Sequence, residues 1–168
     1  MHLKDLNKLQ TKELKEALVK CCGSSVWVNE LAITFPIHDK DELYQKAEDI
    51  WFNLAEKDWR EAFTHHPKIG DINSLKDKYK DTAEWAAGEQ KGVEQSSADT
   101  ILQLSEANQQ YEDKFGYIFI VCATGKSAEE MLHILNARLE NAPEVEIKIA
   151  VAEQNKITRI RLEKLLAE

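Results

Sequence analysis

Apolar residues recur along this chain at helical spacing. Leu43, Ala47, Ile50 and Leu54 stand at i, i+4, i+7 and i+11, on one face of a helix. Ile101, Leu104, Tyr111 and Phe115 form a second stripe, and Gly116 directly after it is a stop signal. Ser127-Ala128-Glu129-Glu130 has capping-box spacing, with Ser127 as N-cap and Glu130 at the third helical position. It opens a helix carried by Leu132, Leu135 and Leu139 and stopped near Pro143; a last helix is expected from about Glu144 to Leu166. Near the start, Val19-Lys20-Cys21-Cys22-Gly23 reads as a helix end with glycine just beyond it. Only residues 117–123, Tyr117-Ile118-Phe119-Ile120-Val121-Cys122-Ala123, read like a strand. A single strand has no pairing partner here, so the run is either a buried connector or a helix start. Gly70 to Lys80 mixes Gly, Asp, Asn and Ser with lysines and is expected to be an exposed loop. No repeat, low-complexity tract or linker interrupts the pattern. The expected fold is all-α, a compact single domain over residues 1–168.

Composition agrees and narrows the classes of function. A chain of 168 residues fits one domain, and 43% hydrophobic with 31% charged residues suits a water-exposed globule. No run reaches the roughly 18 apolar residues of a membrane span. Met1-His2-Leu3-Lys4-Asp5 lacks the apolar core of a secretory signal, and Leu166-Ala167-Glu168 is not the peroxisomal Ser-Lys-Leu, so the cytoplasm is the expected location. A formal net charge of −8 argues against nucleic acid as partner, because phosphate binding wants a basic face. It leaves room for an anionic small molecule held by one or two well-placed cations. Cys21, Cys22 and Cys122 are odd in number and include an adjacent pair, which is no disulfide framework. Cys122, inside the apolar run, is expected to pack as a small hydrophobe.

Three places could carry chemistry. With Ile147 at 0° and about 100° per residue, Val151, Leu162 and Leu165 fall within about 60° of it, and so do Gln154, Thr158 and Arg161. Arg159 and Lys156 point elsewhere. A permanent cation on the inward stripe needs a reason, since an unpartnered buried guanidinium is costly. Arg161 either pairs with a structural carboxylate or faces a pocket and binds an anion. The second place is Thr64-His65-His66-Pro67-Lys68-Ile69-Gly70. Pro67 pushes His66 away from the α region, so His66 sits where a helix ends and can serve as acid or base near neutrality. On spacing alone a helix-terminal histidine is more often bland than catalytic. His65 and His66, being adjacent, do not share a helix face and make a poor metal pair, and neither His-Glu-x-x-His nor Cys-x-x-Cys occurs. The third is Trp85-Ala86-Ala87-Gly88-Glu89-Gln90-Lys91-Gly92, where an aromatic wall can raise the Glu89 carboxyl pKa; a surface glutamate is the alternative.

Taken in order, these segments resemble the 2-oxo-4-hydroxy-4-carboxy-5-ureidoimidazoline (OHCU) decarboxylase family. His66-Pro67-Lys68-Ile69-Gly70 looks like its His-Pro-x-Ile/Leu-Gly element, and Glu89-Gln90 like its Glu-Gln element. The run from Asn108 to Phe119, then Ala123-Thr124-Gly125-Lys126-Ser127, Arg138-Leu139-Glu140-Asn141, and Lys156 to Leu162 continue the pattern. The resemblance is strong from about residue 60 onward and weaker from Leu6-Asn7. It implies an all-helical, homodimeric enzyme of uric acid degradation with no metal and no organic cofactor. It implies His66, Glu89 and Arg161 as catalytic side chains, with Pro67, Gln90, Ile120 and Ala123 joining them in binding substrate. Ala86 departs from the family, which often has serine three residues before the glutamate.

The implied substrate explains how a decarboxylase could dispense with a cofactor. The carboxylate of OHCU sits on the carbon bearing the hydroxyl, beside a ring carbon doubly bonded to nitrogen. Loss of CO2 can push electrons onto that nitrogen, so the protein needs only to orient the ring, stabilise shifting charge and protonate one face. Two rival classes remain at this level. One is a helical binding module, which leaves the inward polar triplet unexplained. The other is a metal hydrolase of a cyclic amide using His65, His66 and Glu89.

Overall fold

The computed structural model describes residues 1–68 and 98–167; Glu89, Gln90, Ala86 and the expected loop Gly70 to Lys80 lie outside them. Every regular element among the described residues is a helix, as the periodicity requires: α1 (Leu3–Leu6), α2 (Thr11–Val19), α3 (Ser25–Ile33), α4 (Lys40–Phe52), α5 (Glu56–Thr64), α6 (Ala98–Phe115), α7 (Ala128–Leu139) and α8 (Pro143–Ala167). None is long and apolar enough to cross a membrane. The chain divides into two units, Met1–His65 with Asn155–Glu168, and His66–Gln154.

In the first unit α3 packs against α2, α4 and α5. Ser24 caps α3 by accepting the Trp27 N–H at 3.3 Å. The core holds Leu18, Trp27, Leu31, Leu43, Trp51 and Phe63, all essentially inaccessible. Each such leucine contributes about 1.5–3 kcal/mol relative to exposure. Two indole N–H groups find carbonyl partners: Trp27 Nε1 donates to the Ala47 carbonyl at 2.9 Å and Trp59 Nε1 to the Trp51 carbonyl at 2.8 Å. On α4 the buried face is Leu43, Ala47, Trp51 and, just beyond it, Leu54, with Ile50 half-buried at the edge of the expected stripe. Asn7 ties the first turn to the α3–α4 connection, donating to the Ile37 carbonyl at 2.7 Å and accepting its N–H at 2.9 Å. That connection contains a cis Phe35–Pro36 peptide.

In the second unit α6 and α7 pack side by side. Leu104, Tyr111 and Phe115 are buried as expected, and Gly116 ends α6 at φ 80°, a left-handed conformation that suits glycine. Ser127 caps α7 through the Glu130 N–H at 3.1 Å. The buried face of α7 differs from expectation: Ala128, Met131, Leu135 and Arg138 point inward, while Leu132 and Leu139 are half-buried. Two apolar stripes one residue apart compete on this helix, and the buried Arg138 ion pair described below accompanies the one that wins. Pro143 begins α8 rather than ending α7, which stops at Leu139. At the first helical position proline loses no hydrogen bond, since that N–H would have no intrahelical partner.

Residues 117–123 resolve as a buried connector. Tyr117, Phe119, Ile120, Val121, Cys122 and Ala123 are all buried, in neither strand nor helix. A buried backbone must still satisfy its polar groups. Here side chains supply what a neighbouring strand would. Arg138 Nη1 donates to the Ile120 carbonyl at 2.6 Å, Glu153 Oε2 accepts the Cys122 N–H at 2.9 Å, and Lys126 Nζ donates to the Cys122 carbonyl at 2.8 Å.

Candidate active site

His65 closes α5 as its C-cap residue and His66 follows it. The two histidines go separate ways. His65 packs on Gly23, where a built Cβ would lie 2.6 Å from both His65 Cβ and Cδ2. It also lines a cavity of about 510 Å³ in the first unit, together with Lys12, Lys15, Val28 and Glu61. Among the described residues, none of the expected site residues lines that cavity. His66, half-buried, instead directs Nε2 at the side-chain oxygen of Gln154 on α8. Pro67 beside it is also half-buried.

Gln154 belongs to the inward polar stripe of α8. That stripe is confirmed as buried: Gln154, Thr158 and Arg161 are 0%, 4% and 6% exposed. Arg159, by contrast, is at the surface, with its guanidinium carbon 3.6 Å from the Tyr44 ring centroid and Nε 2.9 Å from Glu163 Oε1. In the first unit Thr158 hydrogen-bonds the wholly buried Cys22, and the Arg161 charge acts on the same thiol. Burial dominates there, pushing the Cys22 thiol up to about 12, so it stays protonated across the physiological range. Arg161 is buried and within electrostatic reach of this neutral thiol, which the carboxylate of Glu61 also reaches.

Ile120 and Ala123 lie on the pinned connector of the second unit. Of its anchors, Arg138, Asn141 and Tyr111 stand in segments that carry the family resemblance but have no role assigned from the sequence, and Glu146 is not marked there at all. Arg138 and Glu146 form a buried pair, Nη2 to Oε1 2.5 Å and Nε to Oε1 2.6 Å. Tyr111 Oη donates to Glu146 Oε1 at 2.6 Å, and Asn141 Nδ2 donates to Oε2 at 3.0 Å. Burial and the Glu146 hydrogen bond raise the Tyr111 pKa, so its hydroxyl remains a donor. A second legible signal is that Arg138 shares the α7 face of Met131 and Leu135. Among the described residues no three His, Cys, Asp or Glu side chains are grouped to hold a metal ion.

The first unit thus carries a buried inward arginine, and the second a histidine bonded to a buried glutamine and a backbone segment pinned by side chains. The OHCU decarboxylase family model matches residues 7–163, and the chain belongs to that family. It is 42% identical over 155 residues to the uric acid degradation bifunctional protein TTL of Arabidopsis thaliana, covering 88% of this chain and 46% of that protein. It is 28% identical over 169 residues to the uric acid degradation bifunctional protein of Bacillus sp. (strain TB-90), covering 100% of this chain and 33% of that protein. The chain therefore spans less than half the length of these relatives. Among solved structures it resembles an OHCU decarboxylase crystallised in the presence of (S)-allantoin, with a TM-score of 0.78, 39% identity, and coverage of 92% of this chain and 99% of that one.

Proposed function

We propose that this chain decarboxylates OHCU to (S)-allantoin and CO2 in uric acid degradation, as a carboxy-lyase that needs no metal or organic cofactor. The observation that carries the reading is the family match across residues 7–163. The bond between C4 and the carboxylate breaks, its electrons form a C4–C5 double bond, and the former C=N π electrons pass to nitrogen, which takes a proton. The enol then loses its hydroxyl proton and gains one at C5. In this reading Arg161 clamps an anionic or carbonyl part of the substrate, and His66 holds the hydroxyl region and moves its proton. Glu89 accepts hydrogen bonds from ureido or ring N–H groups, with Gln90 and Pro67 completing the contacts. Backbone groups from Ile120 to Ala123 line the pocket. Buried Arg161 supports the clamp, since the planar fork of arginine matches a carboxylate with two parallel bonds.

The same proposal takes residues 1–168 as one working domain, in a cytoplasmic homodimer whose partner molecule is the small substrate and not nucleic acid. The test is to supply freshly generated OHCU to the purified protein and follow chiral allantoin by circular dichroism, with and without chelator. Faster formation of the (S) product, indifferent to chelator, is the expected result. No turnover would leave a binding module; activity lost on chelation and restored by zinc would favour the hydrolase.

A further inference from the structure

Gln154 lies at the centre of an arrangement that the proposed roles leave unused. Its amide is wholly buried on α8, yet it reaches His66, a residue 88 positions earlier in the chain. Burying an amide costs free energy unless it is hydrogen-bonded, and hydrophobic residues would fill an inward helix position at no such cost. The bond it makes has chemical content. An imidazole has two nitrogens, and the partner of one decides which carries the proton. Here the partner atom on Nε2 is the carbonyl oxygen of Gln154, an acceptor only. With that oxygen as acceptor, the contact is satisfied when Nε2 carries the proton.

The neighbouring residue on the same turn reinforces the geometry. Glu153 accepts the Cys122 N–H, so consecutive residues of α8 hold the histidine and the connector. A ring tethered by one nitrogen to a buried side chain keeps its plane as well as its tautomer. The choice of glutamine over glutamate also matters. A neutral amide oxygen orients the ring without placing a formal charge beside it.

We infer that Gln154 is a positioning residue for His66, fixing the orientation of its ring with the proton on Nε2. This rests on the proposed role of His66. Loss of the partner that orients a metal-bound histidine typically costs about 10–100-fold, and the same order is expected for an oriented histidine here.

The experiment combines nitrogen-15 NMR of the His66 ring with steady-state kinetics on the full chain, the His66 signals being assigned by their loss in His66→Ala. In the native protein Nε2 should carry the proton; a spectrum with the proton on Nδ1 overturns the inference without any substitution at residue 154. Gln154→Met keeps the length and removes the acceptor. It should let the two tautomers exchange and lower kcat about 10–100-fold, with KM for OHCU within about threefold. Gln154→Glu restores an acceptor oxygen and should keep the proton on Nε2. Unchanged ring signals in Gln154→Met, or altered signals with an unchanged kcat, overturn the positioning role. An active His66→Ala would instead overturn the role of His66 itself while leaving the NMR result standing, so the two failures are distinguishable.

Discussion

Arg138 and Glu146 form an ion pair sealed from solvent, Nη2 to Oε1 2.5 Å, and the same guanidinium holds the Ile120 carbonyl at 2.6 Å. The pair thus ties α7, α8 and the connector into one network that also includes Tyr111 and Asn141. Removing one partner leaves the other charge buried and uncompensated, which costs about 3–5 kcal/mol. Arg138→Met should therefore lower the urea midpoint steeply, and Arg138→Met with Glu146→Leu should cost less than the sum of the single changes. A loss under about 1 kcal/mol in Arg138→Met, the range of exposed pairs, would show that the network is dispensable.

Gly23 is required by the histidine above it. A methyl group there would meet the base of the His65 side chain, at Cβ and Cδ2, which cannot swing aside as a flexible tip could. Gly23→Ala should destabilise by about 1–3 kcal/mol, the usual range for overpacking. Combining it with His65→Ala should recover most of that loss in urea unfolding. Equal instability with and without His65 would place the clash elsewhere.

The Cys22 thiol predicts both reactivity and pH dependence. Burial lifts it from about 9 to about 12 in the folded protein. The folded state then holds a proton that the unfolded state releases above about pH 9, so stability is fully present below that value and is lost as pH rises toward 12. Tyr111, also raised, adds a loss in the same direction above about pH 10. Chemical denaturation from pH 7 upward should show a fall that is shallower in Cys22→Ala. At neutral pH an alkylating reagent should leave Cys22 unmodified until the protein unfolds, because the thiolate is the reactive form. Rapid native-state labelling located to Cys22 by mass spectrometry would refute this.

Arg161→Lys and Arg159→Lys separate the two arginines of the last helix. Arg161 is buried, whereas Arg159 is exposed on Tyr44 and Glu163. Lysine keeps the charge and the helix propensity in both places but loses the planar fork. Arg161→Lys should keep near-native thermal stability while raising KM and lowering turnover by at least about tenfold, the cost of one charge-assisted hydrogen bond. Arg159→Lys should be close to silent. An unfolded Arg161→Lys would make Arg161 a structural ion-pair member; a fully active one would remove this helix face from the mechanism.

The two adjacent histidines offer the matching test. His66→Ala should lose about 10²–10⁴-fold in turnover, as expected for an acid–base group. His65→Ala should keep its activity and alter packing around Gly23 alone. Glu89→Gln, nearly isosteric, should fold normally and turn over slowly. Equal losses at His65 and His66, measured with OHCU under identical conditions, would show that neither is the specific acid–base group.

The sequence by itself determined what depends on direction around a helix axis. The stripes of α4 and α6, the Ser127 cap, the Gly116 stop and the inward turn of Gln154, Thr158 and Arg161 all follow from local periodicity and local backbone chemistry. The ordered motifs also marked the family that the comparison with known proteins established. Periodicity failed where two apolar faces lay one residue apart, as on α7, because a turn of about 100° costs little until a partner chooses between them. Tertiary structure made that choice, burying Arg138 with Met131 and Leu135. It also decided what no local rule contains: that His65 meets Gly23 while His66 meets Gln154, and that side chains from α7 and α8 replace the missing strand beside residues 117–123. A sequence states which polar groups must be satisfied; their partners are far apart along the chain, and only packing brings them within the roughly 3 Å that a hydrogen bond requires.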